Sequence, residues 1–400
     1  MEIKRVKAER AEMIKPYIEE QRDKLISLRR YFHKYPEVSM KEYRTAEKIE
    51  EELDNLHISH KRVGETGVLG VIGDEKPDGK TLVLRADIDA LALQDKKNGD
   101  YASANAGVMH ACGHDAHIAA LLGAATVLKE KEKELKGQIR LFFQQGEEYG
   151  QGAKVFLKEG LLEGADRIFG IHVASNIPVG NVGLSEGPVN ASVDHFVISV
   201  KGKSAHVSTP HLGIDALYIA TQIVNALQGI VSRQTDPADT VVVGIGVLQA
   251  GDAYNIIAGD AKIEGTTRCF TAKTREETNR RIEKIARSIG EAYGAEVSVE
   301  FEDFASPLIN DGQVCGEVRK AAEAVVGKEH IVPRERSLGG DDFAEYLLKV
   351  PGAYAYVGTG NQEKPGTVLP QHADRYDIDE EGILIGANLY ADYALQFLQG

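Results

Sequence analysis

The densest group of side chains able to do chemistry lies within eight consecutive residues. It contains three histidines, one cysteine and one aspartate: His110, Cys112, His114, Asp115 and His117. A thiolate and imidazoles at this spacing suit a borderline divalent metal such as zinc, manganese or cobalt. Asp115 is also placed to cap a helix that the pattern predicts over 115–136. Five such residues together favour a metal or catalytic site over a set of solvated loop side chains.

A second group follows a short apolar segment, 139–143, which reads as a buried strand. The strand leads into Glu147 and Glu148. Adjacent side chains diverge, so one glutamate can bind a metal while the other carries a proton. Loops beyond the carboxyl ends of strands build the sites of α/β sheets, and this pair has that place in the sequence.

Two further predicted strands end in candidate ligands. The segment 81–85 leads into Asp87 and Asp89, and the segment 167–171 leads into His172. We expect these strand ends to lie at one edge of a sheet, although spacing alone does not bring them together.

The elements that must position these residues alternate between short apolar strands and helical stretches, which predicts an α/β sheet with a parallel component. The middle third differs, because its pattern reads β-α-β-β-α-β, the order of a ferredoxin-like unit. Its second helix is predicted to begin at Thr274 with a capping box. We therefore predict a catalytic domain in two parts, residues 1–186 and 302–400, around an inserted α+β domain at 187–301.

Composition limits the partners. The 400 residues carry 47 Lys+Arg against 61 Asp+Glu, a formal net charge of −14, which opposes binding to nucleic acid and to anionic lipid. The N-terminus is densely charged and no apolar run is long enough to span a membrane. Three scattered cysteines are no disulfide framework, so we expect a cytoplasmic protein.

Several segments match a known family in their order and spacing, and the match runs from about Arg29 to the C-terminus. These segments are Arg30–Glu37, Leu84–Leu91, Gly107–Asp115, Phe143–Glu148, Gly170–His172, Gly202–His206, Gly265–Arg268 and His372 ahead of Tyr376–Glu380. The chain resembles the amidohydrolase branch of the aminoacylase/carboxypeptidase metallopeptidases, which includes hippurate hydrolases, N-acetyl-diaminopimelate deacetylases and auxin-conjugate hydrolases. The resemblance implies a zinc-peptidase-like catalytic domain with an inserted ferredoxin-like lid or dimerisation domain.

The resemblance also implies a site for two divalent metal ions of manganese, zinc, cobalt or nickel. By position its ligands are Cys112, His114, Glu148, His172 and His372. Cys112 would bridge the metals, with Glu148 and His372 on one and the other two histidines on the second. Glu147 would be the general base for attack of a metal-bridged water on the amide of an N-acyl amino acid, releasing a carboxylic acid and a free amino acid.

The inserted domain supplies further residues by the same resemblance. His206 would reach the site of a partner subunit and stabilise the oxyanion, Asn255 would hold the substrate, and Arg268 would pair with the substrate carboxylate. A homodimer or higher homo-oligomer is therefore expected.

This chain departs from the family pattern directly before the paired glutamates, where Gln145 and Gly146 replace the usual proline and alanine. This difference is expected to loosen the loop that aims Glu147. The aspartate at 341, where relatives usually have glutamate, leaves the acyl preference open.

Three alternatives remain open from the sequence. The site could cleave dipeptides or act as a carboxypeptidase, because the same attack by water cleaves either amide. Cys112 could be the nucleophile of a thiol hydrolase with His114 or His117 as base, although so close a neighbour rarely reaches the required geometry. The chain could also be a metal-binding relative without catalysis.

Overall fold

The structure is a computed structural model that describes residues 14–74 and 79–399. The chain forms two compact units. The first contains the residues up to Gly187, Ile309–Glu335 and the residues from Asp342 onward, and the second contains Pro188–Leu308 and Arg336–Asp341.

The strands, in chain order, are β1 (Ser59–Val63), β2 (Gly67–Ile72), β3 (Lys80–Asp87), β4 (Gly137–Gln144), β5 (Arg167–Pro178), β6 (Val182–Gly183), β7 (Gly187–Asn190), β8 (Val193–Lys201), β9 (Val241–Ala250), β10 (Asp260–Cys269), β11 (Glu296–Ala305), β12 (Leu308–Asn310), β13 (Ile331–Val332) and β14 (Gly352–Gly360). The helices are α1 (Arg22–Lys34), α2 (Tyr43–Asn55), α3 (His114–Glu130), α4 (Gly152–Lys158), α5 (Ala216–Gly229), α6 (Ala272–Tyr293), α7 (Gly312–Val326), α8 (Phe343–Leu347) and α9 (Glu381–Gln399).

The first unit is built on a mixed eight-stranded sheet with the order β1-β2-β4-β3-β5-β14-β6-β13. Its central strands β4, β3, β5 and β14 are mutually parallel, so their carboxyl ends lie along one edge. Every residue of β14 is buried, as expected for a strand covered on both faces. Helix α3 is apolar almost all round and packs against α9, α1 and the sheet, which explains why its pattern lacks a polar face.

The second unit holds a four-stranded antiparallel sheet with the order β11-β8-β10-β9, and helices α5 and α6 pack on it. Burial alternates along β8, which is typical of a sheet with one face on the core. The chain order of these elements is the β-α-β-β-α-β succession that the sequence predicts. The unit starts at Pro188 but extends to Leu308 and includes Arg336–Asp341, beyond the predicted limit at 301. Its limits as a domain and its role as a lid remain predictions.

Local capping differs from the sequence prediction at two helices. Helix α3 begins at His114 behind Gly113, so Asp115 lies inside the first turn and does not cap it. Helix α6 begins at Ala272, because the side chain of Thr271 accepts the backbone N–H of Thr274 and is the actual cap. Helix α3 also ends at Glu130 and not near 136, because a short 3-10 turn follows. Over residues 14–74 and 79–399, the helices are too short or too polar to cross a membrane.

Candidate metal centre

The parallel strands of the first unit bring the predicted ligand-bearing segments to one edge. Asp87 ends β3 directly beside Gln144, the last residue of β4, and the next turn carries Glu147 and Glu148. His172 lies on β5, the other neighbour of β3. Alternating strand and helix thus collects side chains that are up to about eighty residues apart in the chain.

Gly113 shapes the segment between Cys112 and His114. Its φ is +97°, and a Cβ built on it would lie 2.3 Å from a methyl group of Val173. Only glycine fits this left-handed position so close to a neighbouring strand. The turn places the thiol of Cys112 and the imidazole of His114 on the same site while helix α3 starts.

All five predicted ligands come together in two groups that share Cys112. One group is Cys112 with His114 and His172, and the other is Cys112 with Glu148 and His372; in each group the candidate ligand atoms lie within 4.8 Å of one another. Cys112 Sγ lies 3.4 Å from His172 Nε2, and Glu148 Oε1 lies 3.3 Å from His372 Nε2. Cys112 is therefore common to both groups, and its role as a bridging ligand stays a prediction.

His372 occupies a strained backbone position. Its φ is +66°, in the left-handed region that residues other than glycine seldom adopt. Its N–H donates to the carbonyl of Ala111 at 2.8 Å, which ties the His372 loop to the segment that carries Cys112. Such strain persists where surrounding structure holds it, and here it turns the imidazole towards Glu148.

Outer partners orient the imidazoles and the second glutamate. The ring of His114 is held through Nδ1, 2.9 Å from the carbonyl oxygen and 3.2 Å from Oδ1 of Asp89. His172 Nδ1 lies 2.7 Å from the carbonyl oxygen of Val173. Asp89 Oδ2 also accepts the backbone N–H of Glu148 at 3.0 Å. Each histidine therefore keeps Nε2 for the centre, the arrangement usual for ligating imidazoles.

The carboxylates around the candidate centre shift the pKa values of the neighbouring thiol and imidazole. Burial, together with the carboxylates of Glu148 and Glu147, raises the pKa of the Cys112 thiol well above its ordinary value. Burial alone would lower the pKa of His114, but the carboxylates of Asp87 and Asp89 outweigh it and raise that pKa to about 10. Crowded anionic donors of this kind need nearby positive charge to ionise together.

Divalent cations fit this centre. His114 Nε2 is fully buried and has no hydrogen-bond partner among residues 14–74 and 79–399. The one thiol, one carboxylate and three imidazoles of these two groups are ligands that suit borderline metals. A coordinated thiol is deprotonated, which would reverse the raised pKa of Cys112.

Glu147 lies beside these five candidate ligands and belongs to neither of the two groups that share Cys112. Its side chain is 6% exposed, and a carboxylate oxygen lies within 4.8 Å of the ligand atoms of His114 and Glu148. It opens a short 3-10 turn that follows Gly146, whose φ is +64°. A buried carboxylate next to two ligands is placed as a general base requires.

Arg85, to which the sequence pattern gave no role, is fully buried next to the centre. Its guanidinium donates to Asp87 at 2.5 Å, to Asp342 at 2.8 Å and to Gln144 at 2.9 Å. It therefore joins the ends of β3 and β4 to the start of α8. The signal in the sequence is a charged residue directly after the apolar run 82–84 of β3.

His117 is also used structurally. Its Nδ1 lies 2.5 Å from Asp87 Oδ1, and its Nε2 accepts the backbone N–H of Val173 at 2.9 Å. Both ring nitrogens are occupied, so His117 is a poor candidate for the base of a thiol hydrolase. The raised pKa of Cys112 also argues against that alternative, since the thiolate is the nucleophile.

Asp115 and His33 have a shared role that the sequence did not reveal. Asp115 Oδ2 accepts from Arg29 Nε at 2.8 Å and from His33 Nδ1 at 2.7 Å. Lys97 Nζ lies 2.6 Å from the other ring nitrogen of His33. This buried cluster anchors the first turn of α3 to α1, next to the ligand His114.

The remaining predicted residues belong to the second unit. His206 is exposed and its Nδ1 lies 2.7 Å from Ser208 Oγ, while the backbone of Val207 donates to the carbonyl of Asn255 at 3.1 Å. His206 and Asn255 are thus on adjoining backbone segments. Arg268 lies on β10, half-buried, and donates to the carbonyl of Leu338 at 3.1 Å. Their action on substrate stays a prediction.

Comparisons with known proteins identify the family of the chain. The sequence model of Peptidase family M20/M25/M40 matches residues 83–396. Thermostable carboxypeptidase 1 of Saccharolobus solfataricus is 39% identical over 391 residues, 96% of this chain and 98% of that protein. N-acetyl-L-cysteine deacetylase of Bacillus subtilis is 39% identical over 361 residues, 90% of this chain and 85% of that protein. The crystal structure of Bacillus subtilis YXEP protein, a dinuclear metal binding peptidase from the M20 family, has a TM-score of 0.81 at 35% identity, covering 95% of this chain and 99% of its own.

Proposed function

Because the chain belongs to Peptidase family M20/M25/M40, we propose that it is a metal-dependent amidohydrolase that cleaves N-acyl amino acids to a carboxylic acid and a free amino acid. The predicted family and the α/β fold of its catalytic part are confirmed by this membership and by the solved relative. The observation that carries the proposal is the pair of ligand groups that share Cys112, with Glu147 beside them.

Two divalent ions at these ligands would polarise the amide carbonyl and acidify water. Residues of the chain move the proton and position the ligands. Glu147 accepts a proton from the attacking water and delivers it to the departing amine. Asp89 supports the reaction by holding His114 and the backbone of Glu148 in place. The buried surroundings keep these groups out of bulk water, which strengthens their interactions.

The metal is proposed to be zinc, manganese, cobalt or nickel. A sulfur, several nitrogens and carboxylate oxygens suit all four, and affinity order does not select among them. A centre made only of oxygen ligands would have favoured magnesium or calcium, which the thiol of Cys112 disfavours.

The substrate-facing roles of the second unit are proposed on the family resemblance. His206 would stabilise the oxyanion at a partner subunit's site, Asn255 would hold the substrate, and Arg268 would pair with its carboxylate. The reducing cytoplasm remains the proposed location, and the three cysteines are unpaired in the structure.

A homodimer formed through the second unit is supported by its open sheet edge. Strand β9 is an edge strand of ten residues without a charged side chain, and Leu248 on it is 45% exposed. The opposite edge, β11, carries four acidic residues that discourage pairing. Sedimentation should find a dimer in wild type and a monomer in Leu248→Lys. Phe301→Lys on β11 is the matched control and should remain dimeric.

Cleavage of dipeptides or of C-terminal residues is the second candidate, favoured by the 39% identical thermostable carboxypeptidase. One experiment separates the candidates. Amino acid release is measured from N-acetyl, N-benzoyl and longer N-acyl amino acids and from dipeptides, with Mn²⁺ or Zn²⁺ and with EDTA. We expect EDTA-sensitive release from N-acyl amino acids that collapses in Glu147→Gln. Release from dipeptides alone would favour the second candidate, and a metal-loaded but inactive protein would contradict both.

A further inference from the structure

The turn that carries Glu147 is held by a segment near the N-terminus of the first unit. Residues 39–42 lie in the connection between α1 and α2, and Met40 and Glu42 contact Gly146. Within this segment Met40 has a φ of +64°, an unusual left-handed value for a methionine. Strain of this kind outside glycine needs a surrounding structure that holds it.

Glu42 is the residue in this segment that contacts the turn. Its side chain is fully buried. One oxygen, Oε1, accepts the N–H of Gly146 at 2.9 Å and the N–H of Met40 at 2.8 Å. The other, Oε2, accepts the hydroxyl of Thr66 at 2.6 Å. Glu42 stands at the N-cap of α2, yet its side chain makes no capping bond there, so the carboxylate serves the turn and not its own helix.

The residue after Glu147 is held in the same way. Asp89 Oδ2 accepts the N–H of Glu148 at 3.0 Å and the hydroxyl of Ser39 at 2.6 Å. The N–H groups on either side of Glu147 are therefore bound by two buried carboxylates. These two bonds hold the backbone on both sides of Glu147, and they thereby fix the direction in which its Cα–Cβ bond leaves the chain.

Gly146 also allows Met40 to pack closely against the turn that carries Glu147. A Cβ at this position would lie 2.5 Å from Met40 Sδ, and the φ of +64° disfavours any other residue. The thioether of Met40 thus fills the space beside the glycine. Gln145 and Gly146, which replace the usual proline and alanine, therefore lie in a turn that Glu42 and Met40 contact, and whether the turn is looser than in relatives stays a prediction.

We propose that Glu42 is a positioning residue for Glu147, acting through the N–H of Gly146. This inference rests on the proposed function, in which Glu147 moves the proton. Burying a carboxylate is unfavourable unless its hydrogen bonds are satisfied, and here those bonds fix the turn beside the centre. Displacing a catalytic group by about 1 Å can slow a reaction about 100-fold.

The test compares three variants. Glu42→Ala removes the acceptor, Glu42→Gln keeps a carbonyl oxygen for the two N–H groups, and Glu42→Leu fills the volume should the alanine variant not fold. Glu52→Ala is the matched control, because Glu52 is a buried carboxylate of the adjoining helix α2 that pairs with Lys24 and Lys48, each at 2.9 Å. Metal content and folding are measured for each.

We expect kcat to fall about 10- to 100-fold in Glu42→Ala or Glu42→Leu, with KM within about threefold and two metals retained. Glu42→Gln should keep at least about a third of kcat, and Glu52→Ala should keep nearly all of it. When Glu147 is already replaced by glutamine, removing Glu42 should lower kcat by less than about a further twofold, because both changes affect the same function. If removing Glu42 lowered kcat by the same factor in wild type and in Glu147→Gln, the proposal would be overturned.

Hydrogen–deuterium exchange separates this inference from the proposed function. Exchange in residues 144–149 should rise at least about tenfold in Glu42→Ala and stay unchanged in Glu52→Ala and Glu42→Gln. A wild type inactive on every substrate would refute the proposed function, and unchanged exchange would refute the role of Glu42 whatever the activity. Loss of metal in Glu42→Ala would also overturn it, because Glu42 would then act on the ligands.

Discussion

Replacing Asp115 by asparagine tests the buried cluster that anchors helix α3. Asp115 is fully buried and accepts from Arg29 at 2.8 Å and from His33 at 2.7 Å. Asparagine keeps the shape but removes the charge that balances the guanidinium. Breaking a buried ion pair from one side costs about 3–5 kcal/mol. Arg29 keeps Asp377 at 2.7 Å, so we expect the lower end, about 3 kcal/mol.

The assay is thermal unfolding followed by far-UV circular dichroism, because the chain contains no tryptophan to report by fluorescence. For a unit of this size, 1 kcal/mol corresponds to about 2–4 °C, so Tm should fall by about 6–12 °C. Asp374→Asn is the control, since Asp374 pairs with Lys96 at 2.7 Å on the surface and its loss should shift Tm by less than about 2 °C. A Tm for Asp115→Asn within 1 °C of wild type, or an equal shift in the control, would refute the reasoning.

Three further predictions follow from single residues. Burial raises the pKa of Glu42 from 4.5 to about 7, so its contribution to stability is complete below pH 4.5 and is lost as the pH rises through 7. The stability of Glu42→Gln relative to wild type should therefore rise by up to about 3 kcal/mol between pH 4.5 and pH 8. Urea unfolding that shows no such rise would contradict this. Gly113→Ala should lower stability by about 2–4 kcal/mol in the same assay, because the methyl group would meet Val173 and the φ of +97° suits glycine; a shift below 1 kcal/mol would count against the steric argument. His117→Ala should weaken zinc binding about 10- to 100-fold in a competition titration, since it frees Asp87 and the backbone beside His172, and an unchanged affinity would show that this support is dispensable.

The fold and the residues that gather at the candidate centre were largely predictable, because both depend on local sequence pattern. The apolar strand that ends at Asp87, the one that leads to Glu147 and the one that contains His172 can be recognised one by one, and their parallel arrangement then brings these residues together. The histidines and the aspartate near Cys112 lie within eight consecutive residues, so they too can be recognised from the local sequence. The structure brings the five predicted ligands within reach of one another.

The supporting contacts were not predictable because their partners are far apart in the chain. Arg29 and Asp115 are 86 residues apart, and Glu42 and Gly146 are 104 apart. Nothing in the local pattern links an N-terminal carboxylate to a turn after β4. Caps were also missed by a few residues, as at Thr271, because the competing hydrogen bonds of neighbouring threonines decide the register.

The most direct test of the central claim is a count of metal ions per chain. Wild type, Glu147→Gln and Cys112→Ala are loaded with zinc, desalted and measured by mass spectrometry of the metal. A thiolate shared by two metals beside a separate base predicts two ions in wild type, two in Glu147→Gln and at most one in Cys112→Ala. A single ion in wild type, or two in Cys112→Ala, would contradict the account.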